Sequence, residues 1–365
     1  MFKFLNRSLL ILNLLAALGL MLAYGAAYIN PQSFWPIAFF GLALPYFLFL
    51  NFFFLLYWAF RGKRYFLLSL LVIILGYKSI PSFVQIRFDH EEVKANDLKV
   101  LSFNVRVFDL YMWTKEKTTR NQIFNFLEEE DPDVLCLQEF YHSDTHDKYE
   151  FKTLDTLVQF LKAKNYHTYY TTNLREKDHW GVVTFSRFPI VKKGVVPFQY
   201  KDDNVCTFTD IKKNGKIIRV YNAHLASIKL DKHDYKAMRK VNKNDYSKDF
   251  DKEFMMLTKI RFGFERRASQ ADSIRKHMDQ SPHPNILLGD FNDTPASYAY
   301  HTIRGDRKDA FIESGSGLGR TYIGEFPSFR IDYLLYDSSF VAKQFRTHNV
   351  KLSDHHPISA YLQVD

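Results

Sequence analysis

The stretch "LLGDFNDTP", residues 287–295, carries an apolar run straight into Asp290, Phe291 and Asn292. Polar residues at a strand end are usually turn punctuation facing water. Here a carboxylate and an amide, two residues apart, close a run that reads as buried. One ending of this kind is a cap. Several that deliver carboxylates, amides and histidines from different strands are what a site looks like.

Other runs end in the same way. "SFNV" (102–105) holds Asn104, "LCLQE" (135–139) closes on Glu139, and "YNAHL" (221–225) carries Asn222 and His224. Asp332 opens an apolar run in "RIDYLL" (330–335), and "SDHHP" (353–357) sets Asp354 and His355 before "ISAYL". From about residue 98 onward the chain alternates short apolar runs with turns and helical stretches, including a helix expected over 264–279. This pattern predicts one domain of two packed sheets covered by helices. No internal repeat of solenoid period is present.

The residue types suit one chemistry. Glu139 and Asp354 are hard oxygen ligands of the kind Mg²⁺ or Mn²⁺ takes. No Cys/His cluster of zinc spacing occurs. Asn104, Asn292 and His224 can donate hydrogen bonds to phosphate oxygens without adding negative charge. Asp332 can orient His355, the acid–histidine arrangement that fixes a tautomer and stabilises an imidazolium. The base that activates water is then His355 held by Asp332, or Asp290. His356 points the opposite way on an extended backbone and reads as structural.

At these motifs, in this order, residues 98–365 resemble the endonuclease/exonuclease/phosphatase superfamily; "GVVTFSRFPI" (181–190) adds to the match. The resemblance implies a four-layer α/β sandwich of two mixed sheets flanked by helices. It implies a Mg²⁺- or Mn²⁺-dependent hydrolase acting on phosphoric ester bonds, of phosphodiesterase or nuclease type. Glu139 is then similar to the metal carboxylate, with Asp354 a second acid and Asn104 a metal-proximal, phosphate-contacting amide. Asp290 and Asn292 match the pair facing the scissile phosphate, and His355 with Asp332 the catalytic pair. His224 joins the catalytic set and Asn222 the substrate-binding set. The Asn-x-His-Leu of "YNAHL" is similar to the phosphatase, deadenylase and sphingomyelinase branches rather than to abasic-site endonucleases. A nucleic acid, a phospholipid headgroup or a small phosphodiester would each fit as substrate, and no protein partner is inferable. The alternative of a different class is a catalytically silent, membrane-tethered binding module.

The first 87 residues have another composition. Residues 8–29 and 36–60 carry no charge, and residues 65–86 make a third such stretch if Lys78 snorkels toward the interface. Two to three transmembrane helices are therefore expected, in a membrane anchor of residues 1–87 preceding the catalytic domain of 98–365. Lys3 and Arg7, then Arg61, Lys63 and Arg64, mark cytoplasmic ends. Three spans place the large domain on the non-cytoplasmic side, periplasmic in a bacterium; two would leave it inside. A cleaved signal peptide is the competing reading of the first stretch. The seven bases of residues 1–87 face no acid, which leaves 42 bases against 40 acids beyond them. Global charge thus gives no case for nucleic-acid binding. Residues 229–263 form a charged insertion, read as a solvated segment or as a basic flap against phosphate or headgroups. Cys136 and Cys206 lie in core-type strands and read as buried free thiols.

Overall fold

The computed structural model describes residues 2–87, 91–145, 151–161, 165–200, 203–228, 250–324 and 329–364. They form two compact units. One holds the described residues of Met1–Tyr77, Ala226–Asp272 and Ala296–Thr302; the other holds those of Lys78–Leu225, Ser273–Pro295 and Ile303–Asp365.

In the first unit α1 (Phe2–Gly25), α2 (Ile37–Leu42), α3 (Leu44–Phe60) and α4 (Phe66–Leu75) follow one another. Phe54 and Trp58 of α3 bury themselves against Ala16 of α1. The Asn51 amide donates to Ala16 O at 2.9 Å, and the Asn13 amide to Ser69 Oγ at 2.7 Å. The opposite side of α1 leaves Ile11, Leu12, Leu15 and Leu18 exposed. Only one of the two to three expected spans has the required length. Phe4–Gly25, 22 residues with mean hydropathy 2.0, is the one helix among the described residues long and apolar enough to cross a membrane. The second expected span is cut in two at Ala43. Pro45, near the start of α3, lacks an N–H and its ring would clash with the carbonyl four residues back, so α2 cannot run into α3. The third stops after 10 residues at Gly76 and continues as a 3₁₀ turn containing Pro81.

The second unit is built on two six-stranded sheets. Its strands are β1 (Leu98–Asn104), β2 (Val134–Ser143), β3 (Asn165–Leu174), β4 (Asp178–Ser186), β5 (Ile190–Val195), β6 (Val205–Lys213) and β7 (Lys216–His224). They continue with β8 (Asn285–Asp290), β9 (Lys308–Asp309), β10 (Asp332–Tyr336), β11 (Phe340–Thr347) and β12 (Ile358–Val364). The sheets run β11-β12-β1-β2-β4-β3 and β5-β6-β7-β8-β10-β9. Each centres on one parallel pair, β1 with β2 and β7 with β8, among antiparallel neighbours. Helices α5 (Thr119–Glu130) and α6 (Thr153–Phe160) cover the first sheet. Helix α7 (Phe250–Asp279) begins 14 residues before the expected start, and residues 229–249 of the insertion lie outside the described residues.

Strand periodicity of two sorts the side chains. On β1 and β2, Leu98, Val100, Val134 and Cys136 face the other sheet, where they meet Ile218, Val220, Ile286, Leu288 and Leu334. The alternate residues Leu101, Phe103, Leu135 and Leu137 pack on Ile123, Phe124 and Leu127 of α5 and Leu157 of α6. β1 and β2 are apolar on both faces because one face meets the other sheet and the opposite face meets the helices. Cys136 and Cys206 are buried and free. Gly289 has φ 148°, and a Cβ there would come within 1.9 Å of Ala223 O, so only glycine lets β7 and β8 pair one residue before Asp290.

Candidate active site

The inward rows of the two sheets turn polar at one end. Val100 and Ser102 lead to Asn104, Ile218 and Val220 to Asn222 and His224, and Ile286 and Leu288 to Asp290, while Asp332 begins the row of Leu334 and Tyr336. Pairing sets Asp290 between two of the others, opposite His224 on β7 and Asp332 on β10. Glu139 arrives differently. After Leu135 and Leu137 the helix-facing place is taken by Phe140, because β2 bulges between Leu137 and Phe140. Glu139 is the extra residue, in the left-handed region at φ 48°, and the bulge re-aims its side chain.

Asp290, 1% exposed, is the hub. Its Oδ1 accepts the Asn292 N–H at 2.7 Å, and its Oδ2 accepts from the amides of Asn104 at 3.0 Å and Asn292 at 3.2 Å. His355 Nε2 and His224 Nε2 stand 3.7 and 3.8 Å from the same oxygen. His355 Nδ1 bonds Asp332 Oδ2 at 2.9 Å, and its ring meets that of Tyr322 in a T-shaped contact at 5.3 Å. Burial pushes the Asp290 carboxyl up to about 6, opposed by His355 and reinforced by Asp332. Burial pulls His355 down, yet the Asp332 and Asp290 carboxylates hold its imidazole well above its usual value. Loss of hydration and then the Asp354 carboxylate raise Glu139, while its bond from Asn104 at 3.1 Å opposes this.

Three of the expected residues have their polar atoms engaged within the protein. Asn222, expected to bind substrate, is fully buried between the sheets. It donates to Leu137 O and Val183 O and accepts from Gln138 at 2.7 Å, so its polar atoms are spent holding the sheets together. Asn104, expected beside metal and phosphate, donates to two carboxylates, and its oxygen accepts the Arg106 N–H at 3.1 Å. The Asn292 amide donates to Leu225 O and to Asp290. Both asparagines fix the acids. His356 bonds Val350 O at 3.0 Å, away from the cluster.

Two neighbours escaped the sequence. Ser353 Oγ donates to Asn104 O at 2.8 Å, joining "SDHHP" to β1. Arg106 Nε lies 3.3 Å from Asp354 Oδ2. Its signal was its position, one residue past "SFNV".

Residues 101–355 match the endonuclease/exonuclease/phosphatase family, and residues 6–83 match a domain of unknown function. The chain belongs to the endonuclease/exonuclease/phosphatase family. No curated protein sequence matches it. Among solved structures, a family protein from Bacteroides thetaiotaomicron is 17% identical with TM-score 0.54, covering 75% of this chain and 100% of its own. A mannosyl-6-phosphatase from Bacteroides thetaiotaomicron VPI-5482 is 18% identical, with TM-score 0.52 over 73% of this chain and 99% of its own. The human Nocturnin catalytic domain with bound sulfate is 14% identical, with TM-score 0.52 over 76% and 97%. At these identities the likeness is one of fold: this family's phosphoesterase fold is what the chain shares with them. The bulged Glu139 and the Asp290 hub sit within the matched span.

Proposed function

We propose that the protein is a membrane-anchored, divalent-metal-dependent hydrolase of phosphoric esters, of phosphodiesterase or nuclease type. The observation that carries this is the convergence of Asp290, His224 and the His355–Asp332 pair from one sheet end, within a phosphoesterase fold. Asp290, Asp332 and His355 are the one acid–histidine trio among the described residues whose ligating atoms all come within 4.8 Å of one another. It is closed by its own hydrogen bond, and an imidazolium between the carboxylates already offsets part of their charge. Glu139 and Asp354 differ. Burial and then the neighbouring Asp354 carboxylate raise Glu139, and the Glu139 side chain is 36% exposed, so two hard oxygen donors stand where a cation can reach them. These two residues would hold Mg²⁺ or Mn²⁺, which when bound polarises a phosphoryl oxygen and stabilises the leaving oxygen.

The chain's own residues do the rest. Asp290, with its raised pKa, takes the proton of the attacking water as a stronger base than an ordinary carboxylate. His355, held charged by Asp332, stabilises the developing negative charge on phosphate and supplies a proton to the leaving oxygen. His224 adds a ring nitrogen 3.8 Å from both Glu139 Oε1 and Asp290 Oδ2. Asn104 and Asn292 keep the two carboxylates in register. The test is a screen of the full chain in detergent with Mg²⁺ against nucleic acids, phospholipids and small phosphate esters, with a parallel arm in EDTA. Turnover that EDTA removes is expected; a folded protein inert toward all three classes with Mg²⁺ and Mn²⁺ would leave the silent binding module as the answer.

The exposed leucines and isoleucine of α1 and the polar bonds buried among α1, α3 and α4 support a membrane anchor. The bases flanking α1 and at 61–64 support a catalytic domain on the non-cytoplasmic side. A reporter active only in the cytoplasm, fused after Asp365, should stay dark. A bright reporter would put the domain inside.

A further inference from the structure

The amides of Asn104 and Asn292 already donate to carboxylates, so what supplies fixed positive charge and N–H groups at the rim? Arg106 does. The chain turns sharply after Asn104 through four consecutive left-handed residues, Arg106 to Asp109, at φ 43° to 59°. A left-handed run without glycine is costly and persists only where its surroundings hold it. Phe108 is buried against Phe124 and Phe140, and Asp109 accepts from the Thr114 N–H and hydroxyl. The turn sets Arg106 beside Asp354, one residue from His355, with its guanidinium 4.1 Å above the Trp113 ring. Tyr111 meets Trp113 edge-on at 5.2 Å and is itself 61% exposed. Only the Nε of Arg106 is engaged. Its two terminal amino groups have no hydrogen-bond partner among the described residues, and a third of the side chain is open to solvent.

We infer that Arg106, pinned by Asp354 and stacked on Trp113, binds a second, non-scissile phosphate of the substrate. The inference rests on the phosphoester reading above. A guanidinium presents parallel N–H groups that match two oxygens of one phosphate, keeps its charge at any working pH, and stacks on an aromatic face. Asp290, Asp332 and His355 are nearly fully buried, whereas Arg106 stands at the rim. What it grips is therefore displaced toward solvent from the phosphate under attack. Trp113 is a positioning residue: it holds the fork and touches no phosphate. A polynucleotide backbone and a phosphorylated headgroup both offer such a neighbouring phosphate.

The test uses the full chain and two substrate pairs. One is a thymidine nitrophenyl phosphodiester with and without a second phosphate on the sugar. The other is glycerophosphoinositol with and without a phosphate on the ring. The readout is the ratio of kcat/KM within a pair. Wild type should favour the second phosphate by roughly ten- to a hundredfold, the scale of one charge-assisted contact. Arg106→Ala should bring that ratio near one, Arg106→Lys should restore part of it, and Trp113→Leu should lower it, each with a normal thermal melt. A preference seen in only one pair names the source, strand or headgroup. An unchanged ratio in Arg106→Ala, or no preference in wild type, overturns the inference. If wild type hydrolyses nothing, the hydrolase reading fails by itself. Calorimetry then decides for Arg106: pyrophosphate should bind more tightly than inorganic phosphate, and the gap should vanish in Arg106→Ala. A gap that survives the substitution also overturns it.

Discussion

Asp290→Asn should fold normally and lose about 10²-fold or more in turnover, the scale of removing a positioned acid–base group. The substitution is nearly isosteric. An asparagine oxygen at the Oδ1 position still accepts the Asn292 N–H now received at 2.7 Å. The new amide faces the Asn104 and Asn292 amides, a conflict that costs stability on the order of 1 kcal/mol. That cost is small beside the kinetic effect. If Asp290 were only a strand cap, the same change would lower the melting temperature and leave turnover per folded molecule alone. The pH profile separates the cases further. A base with a pKa near 6 needs its proton removed, so wild-type turnover should rise with pH through that value and the variant should lose this limb. His355→Ala should cost a similar factor, and the double variant far less than the product, because groups acting as one unit are not additive. Melts and initial rates for four proteins decide it. Additive losses, or an unimpaired Asp290→Asn, would end the assignment of Asp290 as base.

Much of this centre could be seen in the sequence because strand parity carried it. Asp290 continues the row of Ile286 and Leu288, and His224 that of Ile218 and Val220. The apolar runs thus announced both the two-sided burial and the direction in which the polar ends point. The same parity misled for Asn222. It shares the inward row, but it lies one step too deep, where the facing sheet takes all its hydrogen bonds. Glu139 was found by its neighbours in "LCLQE" although parity alone would have sent it toward the helices; a bulge is a tertiary event that no local pattern specifies. The half-exposed β3 and β5, the two-residue β9 and the outlying β11 give no clear alternating signal in the sequence, their burial being irregular or too short to show a period. Hydropathy also outran geometry in the first unit, where an apolar count over residues 36–60 cannot register the break that Pro45 imposes.

Glu139→Gln tests the metal. The amide keeps the size of the side chain, and its oxygen keeps the bond from Asn104, but one ligand charge is gone. Replacing partners that merely orient a ligand costs metal affinity about 10–100-fold, so losing the charge of a direct ligand should cost at least that. Activity should be low at ordinary Mg²⁺, recover in part with excess Mg²⁺ or Mn²⁺, and vanish in EDTA. The metal-free protein gives a second, independent readout. Burial and then repulsion from Asp354 both work against the charged form of Glu139, so removing its charge relieves both. In EDTA the variant should therefore melt no lower than wild type. On adding Mn²⁺ the order should reverse, because only wild type gains the binding free energy, about 2.7 kcal/mol at a hundredfold excess over Kd. A structural carboxylate would behave in the opposite way, with the variant weaker in EDTA and both proteins indifferent to the ion. Equal Mn²⁺ stabilisation of the two proteins, with equal activity, would remove Glu139 from the metal site.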